Sequence, residues 1–221
     1  MTGQPTRPEP ELRVVDNVAE AAVALFLELQ PGTIVLSGGS TPQACYERLA
    51  EQRDYPWSRV EAFFGDERCV PVDHPDSDVG MANRALLSKV PARSYPIDGA
   101  ACDADGYQAT LRDRFGDHPR FDLALYGLGP DGHTASLFPG RPEVHEVERW
   151  VVYVPEAGQP PFVPRVTLTV PVLSAASVGI FLVSGHEKRP AMADLLAGRD
   201  VPASRMAPDR LIVLADPAAV P

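Results

Sequence analysis

The chain has 221 residues, of which 44% are hydrophobic and 23% charged, the proportions of an ordinary globular protein. Its formal net charge of −10 disfavours nucleic acid and anionic membranes as partners, and allows an anionic small substrate only where a local site overrides the global field. The longest apolar runs, Val178–Val183 and Leu211–Ala215, fall far short of the roughly 20 residues that span a bilayer.

Residues 1–10 are rich in Pro, carry no apolar signal-peptide core, and read as a short flexible tail ahead of one domain over 11–221. From there apolar runs alternate with helical patterns. A strand is expected at Leu12–Val15, a helix at Val18–Leu29 and a strand at Thr33–Ser37. Thr41 then offers a hydroxyl cap and Pro42 suits a first turn, so a helix is expected over Pro42–Gln52. A strand at Val60–Phe64 precedes helices at Val79–Val90 and Asp105–Phe115. Strands follow at Phe121–Tyr126, Trp150–Val154, Arg165–Val170 and Val178–Val183, then a helix at Glu187–Ala197 and a strand at Leu211–Leu214. Several strands are near-continuously apolar, as strands covered on both faces are. The pattern predicts an α/β fold: a single-domain, Rossmann-like open sheet, largely parallel, with helices on both faces.

The three cysteines, Cys45, Cys69 and Cys102, are scattered, odd in number and form no C-x-x-C. They argue against a disulfide framework or a structural zinc site, and for a reducing cytoplasm. The Pro-rich stretch Ala157–Pro164 reads as a loop inside the domain.

In open α/β sheets, ligands bind where loops leave the carboxyl ends of strands. Three loops stand out. Ser37-Gly38-Gly39-Ser40-Thr41-Pro42 combines paired glycines with a helix start, and taken alone it reads equally as a phosphate cradle, though not a Walker A loop, or as a plain tight βα turn. Gly65-Asp66-Glu67-Arg68-Cys69-Val70-Pro71 sets two acids beside a base at a strand end; it can orient hydroxyls and hold an anion, or simply be a solvated turn. Gly127-Leu128-Gly129-Pro130-Asp131-Gly132-His133 matches G-x-G-x-x-G literally. A dinucleotide site is nevertheless disfavoured, because Asp131 would face the pyrophosphate and Phe138-Pro139-Gly140 cuts short any following helix. What remains is His133, accessible among glycines and beside Asp131, as a candidate base. No His, Asp or Glu spacing resembles a metal motif, and Asp76-Ser77-Asp78 lacks the other calcium ligands, so neither metal nor cofactor is expected.

Taken together, these loops resemble the 6-phosphogluconolactonase family, relatives of the glucosamine-6-phosphate isomerases and deaminases. The likeness rests on LSGGSTP (Leu36–Pro42), FFGDERCVPVDHPDSDVGMANRALL (Phe63–Leu87) and LYGLGPDGHTASLFPG (Leu125–Gly140). RVTLT (Arg165–Thr169), SGHEK (Ser184–Lys188) and PAS (Pro202–Ser204) support it, and the matches run in family order over nearly the whole chain. The resemblance implies a phosphate site of Gly38, Gly39, Ser40 and Thr41, with Arg68, Arg165 and Lys188 supplying positive charge. It implies that Asp66, Glu67 and Asp131 line the sugar end of the cleft and that His133 is the catalytic histidine. Where the family pattern leads one to expect Ser-Asn, this chain has Ser77-Asp78, an added negative charge near the cleft entrance; the C-terminal strand also lacks the tryptophan of many relatives.

The implied reaction is hydrolysis of 6-phosphoglucono-δ-lactone by water that His133 activates. It is expected of a cytoplasmic monomer or weak homodimer whose partner is the phosphorylated lactone. Two rivals are an amino-sugar-phosphate isomerase/deaminase, which needs a base at C2, and a non-catalytic sugar-phosphate sensor. A sensor could discard His133 and would carry a partner-binding segment.

Overall fold

The computed structural model describes residues 7–221; positions 1–6 of the expected tail lie outside the described residues. Arg7, the first described residue, donates from its guanidinium to the Leu195 carbonyl at 2.7 Å.

The chain runs through β1 (Glu11–Val14), α1 (Val18–Leu29), β2 (Thr33–Leu36), α2 (Ser40–Leu49), β3 (Glu61–Phe64), β4 (Asp66–Arg68) and α3 (Asp78–Ala82). It continues with β5 (Arg93–Ser94), α4 (Ala104–Phe115), β6 (Phe121–Gly127), β7 (Val151–Val154), β8 (Arg165–Leu168), α5 (Val170–Leu173), β9 (Ala176–Val183), α6 (Arg189–Ala197) and β10 (Arg210–Ala215). Seven strands form a parallel sheet in the order β1-β10-β9-β6-β2-β3-β5. This is the expected α/β architecture with its largely parallel sheet. The central strands are apolar throughout because both their faces are covered; in β9 every residue but Ser177 is buried.

Helix α1 has the limits its sequence predicts. Asn17 caps it by accepting the Glu20 amide at 3.1 Å, and Val18, Ala22, Val23, Leu25 and Phe26 turn one apolar face to the core. Beyond β2, the chain crosses to β3 and β5 on one side; β6, β9 and β10 lie on the other. The strand order therefore reverses between β2 and β6, and their carboxyl ends open a crevice there.

Four local expectations are corrected. Helix α2 starts at Ser40 rather than Pro42, and Thr41 does not cap it: Gly39, at φ +103°, makes the break and leaves Thr41 inside the first turn. The expected helix Val79–Val90 is α3 followed by a π-helical turn over Asn83–Leu87. The Asp66–Arg68 segment is a strand rather than a loop. It joins β8 and β7 in a separate antiparallel sheet, β4-β8-β7, which the sequence did not announce.

The fourth correction concerns the cysteines. Cys69 and Cys102 are disulfide-bonded with Cα atoms 4.9 Å apart, while Cys45 is free and buried. Distance along the chain had hidden their proximity. Gly99 permits it, since its Cα packs where a side chain would collide with the Arg68 and Val70 carbonyls. The argument from cysteine usage to a reducing compartment thereby loses its premise. The bond closes a 33-residue separation that contains α3 and β5. Reducing it, or replacing both cysteines by serine, is expected to cost about 3 kcal/mol of unfolding free energy. Urea unfolding with and without reductant measures this, and coincident curves would show that the bond carries no stability.

Candidate active site

The crevice at the strand-order reversal is a cleft of about 190 Å³. Several segments build it, beginning with the loop after β2. Gly38 has no room for a side chain, because a Cβ there would overlap the Asp78 carboxyl. Gly39 takes the left-handed conformation that turns the chain into α2.

The second source is the small antiparallel sheet. Side chains alternate along a strand, and Arg68 faces Arg165 in register as Asp66 faces Thr167. Asp66, Arg68 and Arg165 therefore share one face, and that face lines the cleft. Glu67 points the other way. The resemblance led us to expect it at the sugar end, but it is buried behind the cleft. There its carboxylate accepts Ser77 Oγ at 2.8 Å and the amides of Arg68, Asp78 and Val79 at 2.6, 2.9 and 2.7 Å. Burial nevertheless pushes its pKa up, against those hydrogen bonds.

Asp78 comes into the cleft from the start of α3, 5% exposed, with Arg68 Nε 3.1 Å from its Oδ2. Burial, then the charge of Asp66, holds its carboxyl well above the usual carboxylate range. Asp66 itself accepts Ser136 Oγ at 2.6 Å. Arg165, 3% exposed, donates to the Val163 and Pro161 carbonyls at 3.2 and 2.8 Å. Lys188 enters from the turn between β9 and α6. All three expected cations thus reach one cleft, but Asp66 and Asp78 offset part of their charge.

The third source is the loop after β6. His133 Nδ1 lies 2.5 Å from Asp131 Oδ1, whose carboxylate also accepts the His133 amide at 3.2 Å. Asp131 Oδ2 accepts Gln159 Nε2 at 3.2 Å. Burial works to raise the Asp131 pKa, but the His133 hydrogen bond outweighs it and brings the carboxyl down to about 2. With Nδ1 occupied, Nε2 is the ring nitrogen left for the cleft. Phe138 packs against the imidazole, ring centroids 4.8 Å apart.

The glycines here serve the histidine. A Cβ at Gly129 would overlap the imidazole, and Gly132 sits at φ +83°. Asp131 stands behind His133, outside the cleft lining. Ser40 and Thr41 line a neighbouring hollow together with Asp16, Asn17 and Asp216. Sequence reasoning missed Gln159 and Ser136. Ser136 lies inside the quoted motif, but nothing in its spacing indicated Asp66 as its partner.

A family model described as glucosamine-6-phosphate isomerases/6-phosphogluconolactonase matches residues 6–214. A 6-phosphogluconolactonase of Synechocystis is 44% identical over 177 residues, which cover 75% of this chain and 72% of that protein. Among solved structures, the 6-phosphogluconolactonase from Thermotoga maritima superposes with a TM-score of 0.86 at 28% identity, covering 94% of this chain and 100% of that one. The 6-phosphogluconolactonase from Trypanosoma cruzi also gives 0.86 at 28% identity, with 98% of each chain covered. Fold and cleft define an α/β enzyme with a histidine-bearing site at the strand-order reversal. The chain belongs to the glucosamine-6-phosphate isomerase/6-phosphogluconolactonase family.

The depressed carboxyl of Asp131 carries a pH signature. Its folded-state pKa, about 2, lies below the ordinary 3.8, so the stability it contributes is present above about pH 4 and lost as pH falls towards 2. Asp131→Asn is expected to remove about 1–2 kcal/mol at neutral pH and to flatten the acid dependence below pH 4. Urea unfolding between pH 2 and 7 checks both effects.

Proposed function

We propose that this chain hydrolyses 6-phosphoglucono-δ-lactone to 6-phosphogluconate with His133 as general base. The observation that carries the reading is His133, backed by Asp131, on the wall of a cleft that Arg68, Arg165 and Lys188 also line. The lactonase names of its relatives favour it over the amino-sugar branch.

Water bound between His133 Nε2 and the lactone carbonyl gives up its proton to the imidazole as its oxygen attacks. Asp131 stabilises the imidazolium, which returns the proton to the departing ring oxygen as the ester C–O bond breaks. A guanidinium of Arg68 or Arg165 offsets the negative charge that builds on the carbonyl oxygen. The phosphate sits towards Lys188, Arg165 and the start of α2, whose first amides have no side-chain cap and favour an anion. Binding energy gained at that remote end is spent on orienting the carbonyl.

The net charge of −10 speaks against nucleic acid as a partner, and no helix among the described residues is long and apolar enough to cross a membrane. A doubly charged phosphosugar does not cross a bilayer unaided, so enzyme and substrate share one compartment, which we place in the cytoplasm.

A continuous assay of lactone opening, corrected for spontaneous hydrolysis, tests the reaction directly. His133→Ala is expected to lower kcat by roughly two to four orders of magnitude, and a loss of only a few-fold would remove it as base. Arg165→Ala and Lys188→Ala should raise KM chiefly for the phosphorylated lactone. If these variants discriminate against unphosphorylated lactone as well as the parent does, the phosphate assignment fails.

A further inference from the structure

We infer that Gln159, on the Pro-rich loop between β7 and β8, is a positioning residue that holds Asp131, and through it the tautomer of His133. The inference rests on the reading of His133 as base and deepens it.

A carboxylate bonded through one oxygen can turn about its last side-chain torsion, which has a broad, two-fold profile. Asp131 is bonded through both. Oδ1 faces His133 Nδ1 at 2.5 Å, and Oδ2 receives the Gln159 amide hydrogen at 3.2 Å. That second bond fixes the plane of the carboxylate and with it the direction of the bond to Nδ1. The proton of neutral His133 then stays on Nδ1, and Nε2 keeps the lone pair a general base needs. If Asp131 turns away, the proton is free to move to Nε2, and the imidazole can no longer accept one from water.

The loop is built to keep Gln159 in place. Ala157 forms a small buried cluster with Val154 and Phe138, and Phe138 is the ring that packs on His133. Gly158 lies so close to Phe138 that a Cβ would come within 2.9 Å of its ring. One side of the loop therefore braces the imidazole through Phe138, while Gln159 braces it through Asp131. The other side is held by Arg165, whose guanidinium donates to the Pro161 and Val163 carbonyls. One loop thus links an arginine of the cleft to the orientation of the base.

The experiment compares the parent with Gln159→Leu, which keeps the shape and removes the donor, and with Gln159→Glu, which places a second carboxylate beside Asp131. The nitrogen-15 shifts of His133 in the substrate-free protein report its tautomer, and steady-state kinetics on 6-phosphoglucono-δ-lactone report its use. Both variants should lose a large part of the Nδ1–H tautomer and lower kcat about tenfold, the effect of one hydrogen bond to a charged group, with KM changed less than threefold. An unchanged tautomer in folded Gln159→Leu overturns the assignment whatever the rate, as does an altered tautomer with an unchanged kcat. The functional reading fails separately: His133→Ala would then open the lactone as fast as the parent does.

Discussion

The carboxylate of Asp122 accepts the amide hydrogens of Gly32 and Thr33, both at 2.8 Å, while Thr33 Oγ1 accepts the amide hydrogen of Asp122 at 2.9 Å. This clasp pins the amino ends of β2 and β6, and the pairs Ile34–Leu123 and Val35–Ala124 follow from it. Everything at the far ends of these two strands depends on that register. A slip of one residue would turn each buried side chain to the wrong face and shift the two carboxyl-terminal loops by about 3.3 Å relative to each other. In the register observed, the loop that carries Gly38 and Gly39 and the loop that carries His133 leave the sheet side by side. They meet closely enough that a Cβ on Gly127 would stand 3.3 Å from Ser37 Oγ.

The third wall depends on a change of sheet. At Gly65 the chain leaves the parallel sheet: its amide still bonds to Leu36 in β2, and its carbonyl accepts from Leu168 in β8. From there on, strand alternation decides which charges meet. It gathers Asp66, Arg68 and Arg165 on the cleft face and sends Glu67 behind, where its carboxylate organises the start of α3 and so delivers Asp78 to the cleft. Burying this many charges costs more solvation than their mutual attraction returns in full. Their persistence here is therefore better explained by what they hold than by stability. Asp78 holds Arg68 in place, and the Pro161 and Val163 carbonyls hold Arg165.

How much of this was legible depended on whether the signal was local. Helix α1 was readable to the residue because Asn17 and the apolar spacing lie within one segment. The loops at Ser37–Pro42 and Gly127–His133 were readable because glycines cluster there. The direction of Glu67 was not, because a three-residue strand is too short to show a period; recognised as a strand, D-E-R would have separated Glu67 from its neighbours by alternation alone. Thr41 was misread as a cap because its residue type suits one, while the break is set by the backbone of Gly39. The pairing of Cys69 with Cys102 and the reach of Gln159 to Asp131 are tertiary facts. They join segments 33 and 28 residues apart, and composition carries no trace of either.

The literal G-x-G-x-x-G makes the same point from the opposite side. In a dinucleotide site those glycines let a pyrophosphate approach the backbone and a helix dipole. Here no helix follows. The chain instead turns back on itself through a bridge between Thr134 and Leu137. Each glycine answers a separate local demand: Gly127 clears Ser37, Gly129 clears the imidazole, and Gly132 takes a positive φ so that its carbonyl can accept the Ala203 amide at 3.0 Å. The letters coincide with a nucleotide motif because absence of a side chain is the cheapest answer to crowding of any kind. What distinguishes the two uses is the object crowded against the backbone, and in this chain it is His133.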